Sequence, residues 1–143
     1  MMDILICKML YPNDPNQTLK PHQHFVGHFT KEKLTLYSIS SIPGKEFKVY
    51  LRNGEVNPNY FLILGENQQA CSLRVPSFID CAKAYTVNLS DEIAIEKLTH
   101  RDIPENIKNE ITEKIKNIKN SGNHAEYSIS LKDFIENNPK IKD

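Results

Sequence analysis

The sequence contains no tryptophan and only three cysteines in 143 residues. It also lacks an apolar run long enough to cross a membrane. The apolar stretch at residues 4–7 is too short for the core of a secretory signal, and Asp3 stands where basic residues precede such a core. These absences exclude membrane-spanning and secreted classes, so we expect a soluble cytoplasmic protein with no membrane partner.

The cysteines do not have the pattern of a metal or redox site. Cys7, Cys71 and Cys81 show no Cys-x-x-Cys spacing, and an odd number without a secretory signal is typical of a reducing cytoplasm. Each has apolar neighbours, among which a free thiol behaves as a small apolar side chain. We therefore expect no cofactor.

Positive and negative charges are balanced, with 18 Lys and Arg against 18 Asp and Glu. A net charge of zero creates no overall field that attracts nucleic acid, so an RNA-binding surface would have to be a local cluster of cations. The composition, 39% apolar and 25% charged residues, is ordinary for a globular protein. The length predicts one domain over residues 1–143.

Residues 1–88 have the short apolar runs and frequent turns of a β-sheet protein. The loop over residues 11–21 is polar and interrupted by prolines, and long loops of this kind are often functional. About six strands with turns every 8–12 residues or so predict a small barrel or sandwich. The predicted strands are residues 4–10, 24–29, 34–39, 47–51 and 60–64, followed by one or two within residues 76–87.

Residues 89–143 form a C-terminal helical part in this prediction. One long amphipathic helix is predicted because five isoleucines recur at intervals of three or four: Ile103, Ile107, Ile111, Ile115 and Ile118. Pro104 suits its first turn, Asp102 or Thr99 can cap it, and residues 121–123 end it. A short helix is predicted over residues 131–136 with Ser130 as its cap, and the tail from residue 137 is expected to fray. The fold class is therefore mainly β with C-terminal α.

Six short segments occur in the order found in one family of small barrels. Residues 3–6 match the family's opening strand, Lys20 with Pro21 matches its Arg-Pro pair, and residues 38–41 match the Thr-Ser end of its third strand. Residues 75–79 match its Pro-Ser-aromatic segment, residues 85–87 its closing strand, and residues 95–99 the approach to its helix. Through them the chain resembles the MazF/PemK-type toxins, most of which are ribonucleases.

The resemblance implies a small SH3-like β-barrel of the MazF/PemK/CcdB type with one long and one short C-terminal helix. It implies a homodimer that cleaves single-stranded RNA without metal, by attack of the ribose 2′-hydroxyl, and that an antitoxin protein neutralises. The implied catalytic residues are Lys20, where the family has Arg, and Ser40 and Ser41, where it has Thr-Ser. Lysine offers a point charge in place of a planar, bidentate guanidinium.

Three histidines follow Lys20 closely, and on an uninterrupted strand His22, His24 and His28 would share one face. A pair of imidazoles can cleave RNA by acid–base catalysis near neutral pH, so His22 and His24 join Lys20, Ser40 and Ser41 as candidate catalytic residues lining one concave surface. A His-x-His pattern can also bind a metal, which makes a metal-dependent enzyme an alternative. Strand residues without a role are a third interpretation.

Arg52, Arg74 and Ser77 are further candidates for RNA binding. The arginines could contact phosphate, or could be solvated charges at strand ends. Ser77 could equally be a structural hydroxyl at the start of a strand. Because related barrels share a fold without sharing an activity, a catalytically inactive barrel that binds protein or nucleic acid is the alternative to a nuclease.

Overall fold

The computed structural model describes residues 2–142. Met1, the first residue of the predicted domain, and Asp143, the last residue of its predicted tail, lie outside the described residues. The fold is built on a mostly antiparallel β-sheet of eight strands, accompanied by several helices. The strands are β1 (Ile4–Lys8), β2 (Pro21–Phe29), β3 (Lys33–Ser41), β4 (Tyr60–Ile63), β5 (Ser77–Asp80), β6 (Lys83–Asn88), β7 (His100–Arg101) and β8 (Ala125–Ile129). The helices are α1 (Glu46–Val49), α2 (Gly65–Ala70), α3 (Glu105–Asn120) and α4 (Leu131–Asn137), with 3₁₀ turns at Ile95–Lys97 and Pro139–Ile141.

The long strand β3 organises the sheet. One of its edges pairs with β2, while the other pairs with β6 through its first half and with β5 through its second half. The path of neighbours is β4-β5-β3-β2-β1-β7, and β8 lies parallel to β6 outside that path. The strands of residues 2–142 do not close into a complete barrel.

Apolar side chains cover both faces of this sheet. The four buried isoleucines of α3 pack with Phe25 and Tyr37 on one face. Leu5, Leu36 and Tyr85 pack on the other face with the C-terminal residues Phe134 and Ile141. Because side chains alternate along a strand, β2 and β3 contribute to both cores.

The C-terminal part holds more structure than its periodicity indicates. The predicted long and short helices are confirmed as α3 and α4, with the Ser130 hydroxyl accepting the Asp133 N–H at 3.1 Å. β7 and β8 were not predicted. The tail does not fray in its described residues, since Ile141 is fully buried and Lys142 bridges to Ile93.

Helix α3 begins differently from the prediction. Pro104 directly precedes its first residue, and no side chain caps the helix from that position. Instead, the buried carboxylate of Asp3 accepts the Ile103 N–H at 3.0 Å and lies 3.1 Å from the Lys108 ammonium. An acid from the opposite end of the chain thus compensates the positive start of the helix.

The predicted strand over residues 47–51 is wrong, because residues 46–49 form the single helical turn α1. Val49 is its buried anchor and packs against Ile42 and Phe78. Lys45 and Lys48 therefore lie on one side of a helical turn, three residues apart, where an extended strand would have placed them on opposite faces.

A β-bulge interrupts β2. Val26 pairs with Leu36 but His28 pairs with Thr35, so Gly27 is an extra residue between them. A Cβ atom at Gly27 would lie only 2.5 Å from the Tyr37 ring, which makes glycine necessary at this close approach. The bulge turns His28 onto the face opposite to His24.

Within residues 2–142, no helix combines the length and the apolar character that a membrane crossing requires.

Candidate functional site

A cavity of about 550 Å³ opens between the loop that follows β1, the end of β3, α1 and the β5–β6 turn. Four lysines line it, together with two carboxylates: Lys20, Lys45, Lys48 and Lys83, with Asp14 and Asp80. We call it the lysine cavity. Its fixed charges sum to a positive value although the whole chain has a formal charge of zero, so it is the local cluster of cations that an anionic ligand would need.

Three of the predicted catalytic residues line the lysine cavity: Lys20, His22 and Ser40. Ser38, two residues before Ser40 on the same face of β3, lines it too. Ser41 pairs with Ser77 and is not among the lining residues, because successive side chains of a strand point to opposite faces. The hydroxyl pair of this site is therefore Ser38 and Ser40, in place of Ser40 and Ser41.

His24 lies beneath the cavity and is fully buried. Its Nε2 is 2.7 Å from the Tyr11 hydroxyl and its Nδ1 is 3.5 Å from the Cys7 sulfur. Burial lowers the pKa of His24 to about 4, and the proximity of His22 acts in the same direction. The imidazole is uncharged at neutral pH and does not line the cavity, so the structure does not bring His24 together with the other predicted catalytic residues.

Tyr11 forms part of the cavity lining, held from below by His24 and from the side by its own loop. The side-chain amide of Gln17 closes that loop, accepting the Tyr11 N–H at 2.6 Å and donating to the Tyr11 carbonyl oxygen at 2.7 Å. The ring centroid of Tyr11 lies 4.8 Å from that of Tyr85, whose hydroxyl donates to Asn13 at 3.0 Å. The proline-broken loop predicted to be functional thus supplies an ordered wall of the cavity.

The electrostatics around His22 are those of crowded cations. Partial burial lowers the pKa of His22, and Lys20 and Lys45 lower it further. Burial and the neighbouring Lys48 and Lys20 likewise lower the pKa of Lys45. A bound anion would relieve this like-charge repulsion, which is the property expected of a phosphate site.

Asp80 lies at the opposite side of the cavity. Its carboxylate accepts the Ala82 N–H at 3.1 Å, and the Lys83 ammonium is 4.0 Å away. Burial raises the pKa of Asp80, while those two groups act in the opposite direction. The acid ties the β5–β6 turn together and holds Lys83 beside the cavity.

The prediction that three histidines share one face is wrong, because the bulge at Gly27 places His28 on the opposite side of β2. His28 lines a different cavity, next to α3. Within residues 2–142, no group of three or more His, Cys, Asp or Glu side chains is arranged to hold a metal ion. The metal-dependent alternative built on His22, His24 and His28 therefore loses its ligand set.

The remaining candidates for RNA binding lie away from the lysine cavity. Arg52 is exposed in the turn after α1 and Arg74 is exposed before β5, and neither lines the cavity. Ser77 is buried and its hydroxyl donates to the Val75 carbonyl oxygen at 2.9 Å. Its hydroxyl serves the structure of the strand start, so Ser77 is not presented to a ligand.

Several lining residues were not predicted from the sequence: Tyr11, Ser38, Lys45, Lys48, Asp80, Lys83 and Tyr85. Three of them had a detectable signal. Ser38 precedes Ser40 in a Ser-x-Ser pattern that puts both hydroxyls on one strand face, and Lys45 and Lys48 have helical spacing. The others come together only through the pairing of distant strands.

Comparison with models of protein families found none that matches this chain. Comparison with curated proteins found no significant relative.

Proposed function

We propose that this protein is a metal-independent endoribonuclease that binds single-stranded RNA in the lysine cavity. One observation supports the proposal most: a single cavity is lined by an imidazole, four ammonium groups and two strand hydroxyls. Cleavage by the 2′-hydroxyl needs a base, an acid and donors to the phosphate oxygens, and these side chains are chemically able to provide all three.

In the proposed reaction, the ribose O2′ forms a bond to the adjacent phosphorus while the bond from phosphorus to O5′ breaks. His22 takes the proton of the 2′-hydroxyl. Its lowered pKa suits that task, because the imidazole is then uncharged and able to accept a proton at neutral pH. The products are a 2′,3′-cyclic phosphate and a 5′-hydroxyl.

Lys45 is the proposed acid that protonates the leaving O5′. Its pKa is lowered by burial and by Lys48 and Lys20, so its ammonium gives up a proton more readily than an ordinary lysine does. Lys20 and the hydroxyls of Ser38 and Ser40 are the proposed donors to the non-bridging phosphate oxygens. Lys20 would act as a point charge, the role in which lysine can stand in for arginine.

The proposal extends to the finer fold and to the partners. The open, β3-centred sheet is compatible with a divergent SH3-like barrel of the MazF/PemK/CcdB type, acting as a cytoplasmic toxin in a toxin–antitoxin system. The described cysteines are free and buried, which suits that reducing compartment. The homodimer and the antitoxin protein remain predictions. Light scattering tests the dimer, and co-purification with the product of a neighbouring gene tests the antitoxin.

The experiment that tests this function compares the cleavage of a random-sequence RNA pool by the native protein and by two histidine variants, all in excess EDTA. His22→Ala should lower the rate by roughly 10²–10⁴-fold, the usual contribution of a positioned base. His28→Ala is the matched control, since it removes an exposed imidazole of the same strand from the opposite face. Equal losses in both variants, or cleavage that EDTA abolishes, would contradict the proposal.

A second candidate function is RNA binding without cleavage. It is favoured by the burial of His24, which leaves His22 as the one histidine among the described lining residues of the lysine cavity. In that case, the native protein binds the RNA pool with a strong dependence on salt concentration, yet leaves it intact.

A further inference from the structure

Phe47 is the most exposed of the large apolar side chains of residues 2–142, with 80% of its surface open to solvent. The other exposed apolar side chains range from 38% to 50%, which is normal for a protein surface. A ring left in water gains nothing from folding, whereas burying it against a ligand would bring the favourable transfer free energy of an aromatic side chain. The ring is therefore available to a ligand.

The orientation of α1 fixes where this ring lies. Val49 is fully buried and anchors the helical turn to the core. At 100° per residue, Phe47 lies roughly 200° around the turn from Val49 and points away from the core. Lys48 comes between the two, and both it and Lys45 line the lysine cavity. Phe47 is not itself among the residues that line the cavity, but it lies on the same helical turn, directly before Lys48 and two residues after Lys45.

We infer that Phe47 is a stacking platform for a base of the single-stranded nucleic acid whose phosphates occupy the lysine cavity. This inference depends on the proposed binding of RNA to that cavity. A single strand alternates phosphates with unstacked bases, and proteins that hold it combine a cationic groove with exposed aromatic rings. A duplex keeps its bases stacked inside the helix, so the ring also favours single strands over duplexes.

The positive charge near Phe47 favours a single-stranded nucleic acid over a second copy of the chain as the ligand. Lys45 and Lys48 repel one another, as the lowered pKa of Lys45 indicates, and the acid between them, Glu46, accepts the Gly44 N–H at 2.8 Å. The turn that presents Phe47 keeps a net positive charge, which suits a polyanion. A second copy would bring the same lysines to the interface if the contact were symmetric. A polyanion with exposed aromatic faces can pair its negative charges with the lysines and stack a face on the Phe47 ring.

The absence of tryptophan from the sequence makes the test direct. Phe47→Trp introduces a single tryptophan, which can be excited selectively over the tyrosines and whose emission is quenched when a base stacks on it. The probe is a short, single-stranded 2′-O-methyl RNA of random sequence, which lacks the nucleophile and is not cleaved. Inorganic polyphosphate is the control ligand, since it has the charge without the bases.

We expect the native protein and Phe47→Trp to bind the oligonucleotide with similar affinity, and we expect the oligonucleotide, but not polyphosphate, to quench the tryptophan. Phe47→Ala should bind about 5- to 150-fold more weakly, the usual effect of losing one stacked base. Phe29→Ala is the matched control and should bind as the native protein does, because Phe29 is 42% exposed and lies at the end of β2 beside other cavities, with no lysine of the lysine cavity next to it in sequence.

Two results would overturn this inference and leave the proposed function intact. One is a Phe47→Ala variant that binds the oligonucleotide with native affinity, and the other is a Phe47→Trp variant whose tryptophan is not quenched when the protein is saturated with the oligonucleotide. A Phe47→Ala variant that keeps its affinity for the oligonucleotide but loses a native dimer would assign the ring to a contact between copies. If the native protein itself binds no oligonucleotide, the proposed function fails, and the inference fails with it.

Discussion

The hydroxyl of Tyr11 lies 2.7 Å from Nε2 of His24, and this hydrogen bond connects the wall of the lysine cavity to the buried core. His24 is inaccessible and uncharged at neutral pH, yet it fixes the position of a ring that a ligand can touch. Tyr85 lies against the same ring. Both aromatic rings line the cavity together with its lysines, which come from separate parts of the chain: the loop after β1, the turn of α1 and the β5–β6 turn.

Replacing Tyr11 by Phe should destabilise the fold. The change removes the hydroxyl and leaves the buried Nε2 of His24 without that partner, at an expected cost of about 1–3 kcal/mol in the free energy of unfolding. Urea unfolding monitored by circular dichroism measures the difference. Tyr50→Phe is a suitable control, because Tyr50 is exposed and its change should stay within about 0.5 kcal/mol. Equal effects of the two substitutions would refute a structural role for the Tyr11–His24 bond.

His24 should make the stability of the protein depend on pH below about 6.5. Its pKa is 6.5 in the unfolded chain and about 4 in the folded protein, so between these values the unfolded state binds the proton and the folded state does not. Stability is therefore complete above pH 6.5 and falls as the pH is lowered through this window, by roughly 3 kcal/mol in total.

Urea unfolding of the native protein and of His24→Gln over the pH range from 4 to 7 isolates this contribution. The variant is expected to be less stable at pH 7 but to lose less stability on acidification. If both proteins lose stability in parallel across the range, His24 does not bear the shifted pKa.

The pH dependence of RNA cleavage should report the protonation of His22. Burial and the neighbouring lysines lower its pKa, so the uncharged base forms at a pH below 6.5. The value of kcat/KM should rise with pH in the acidic range and level off before neutrality. The rise should vanish from the residual activity of His22→Ala. A rise centred well above pH 6.5 would identify a different base.

The lysines of the cavity should determine how steeply RNA binding depends on salt. Each phosphate contact with single-stranded nucleic acid contributes about 0.7 to the slope of log K against log salt concentration. Lys20→Gln, Lys45→Gln and Lys48→Gln should each reduce the slope by about this amount. Lys140→Gln, an exposed lysine outside the cavity, should leave it unchanged. Equal slopes in all four variants would place the RNA elsewhere.

The sequence predicted much of the fold because its signals were local. The isoleucine repeat of α3 and the Ser130 cap of α4 involve residues within one or two helical turns, and both were recognised. By contrast, β8 has ordinary composition and forms a strand only because it pairs in parallel with β6, some forty residues away. α1 was mistaken for a strand, since one helical turn is too short for a periodicity to be recognised.

The site was predictable only in part, for the same reason. Lys20 and His22 are close in sequence, and Ser40 belongs to the segment that resembles the Thr-Ser end of the family's third strand, so all three were identified. All three line the same cavity. Lys83 and Asp80 come from the far end of the β-rich residues 1–88 and reach the cavity through the pairing of β5 and β6 with β3. His28 was misplaced because a single bulge residue, Gly27, inverts every side chain that follows it on the strand.

The measurement that tests the central claim most directly is the chemistry of the RNA ends that the protein leaves. The purified protein is incubated in excess EDTA with a random-sequence RNA pool and, separately, with DNA of the same design, and the products are analysed by mass spectrometry. Attack by the 2′-hydroxyl at the lysine cavity predicts 2′,3′-cyclic phosphate and 5′-hydroxyl ends on RNA, intact DNA, and little cleavage by His22→Ala. Fragments with 5′-phosphate ends, cleavage of DNA, or an RNA pool that stays intact would contradict it.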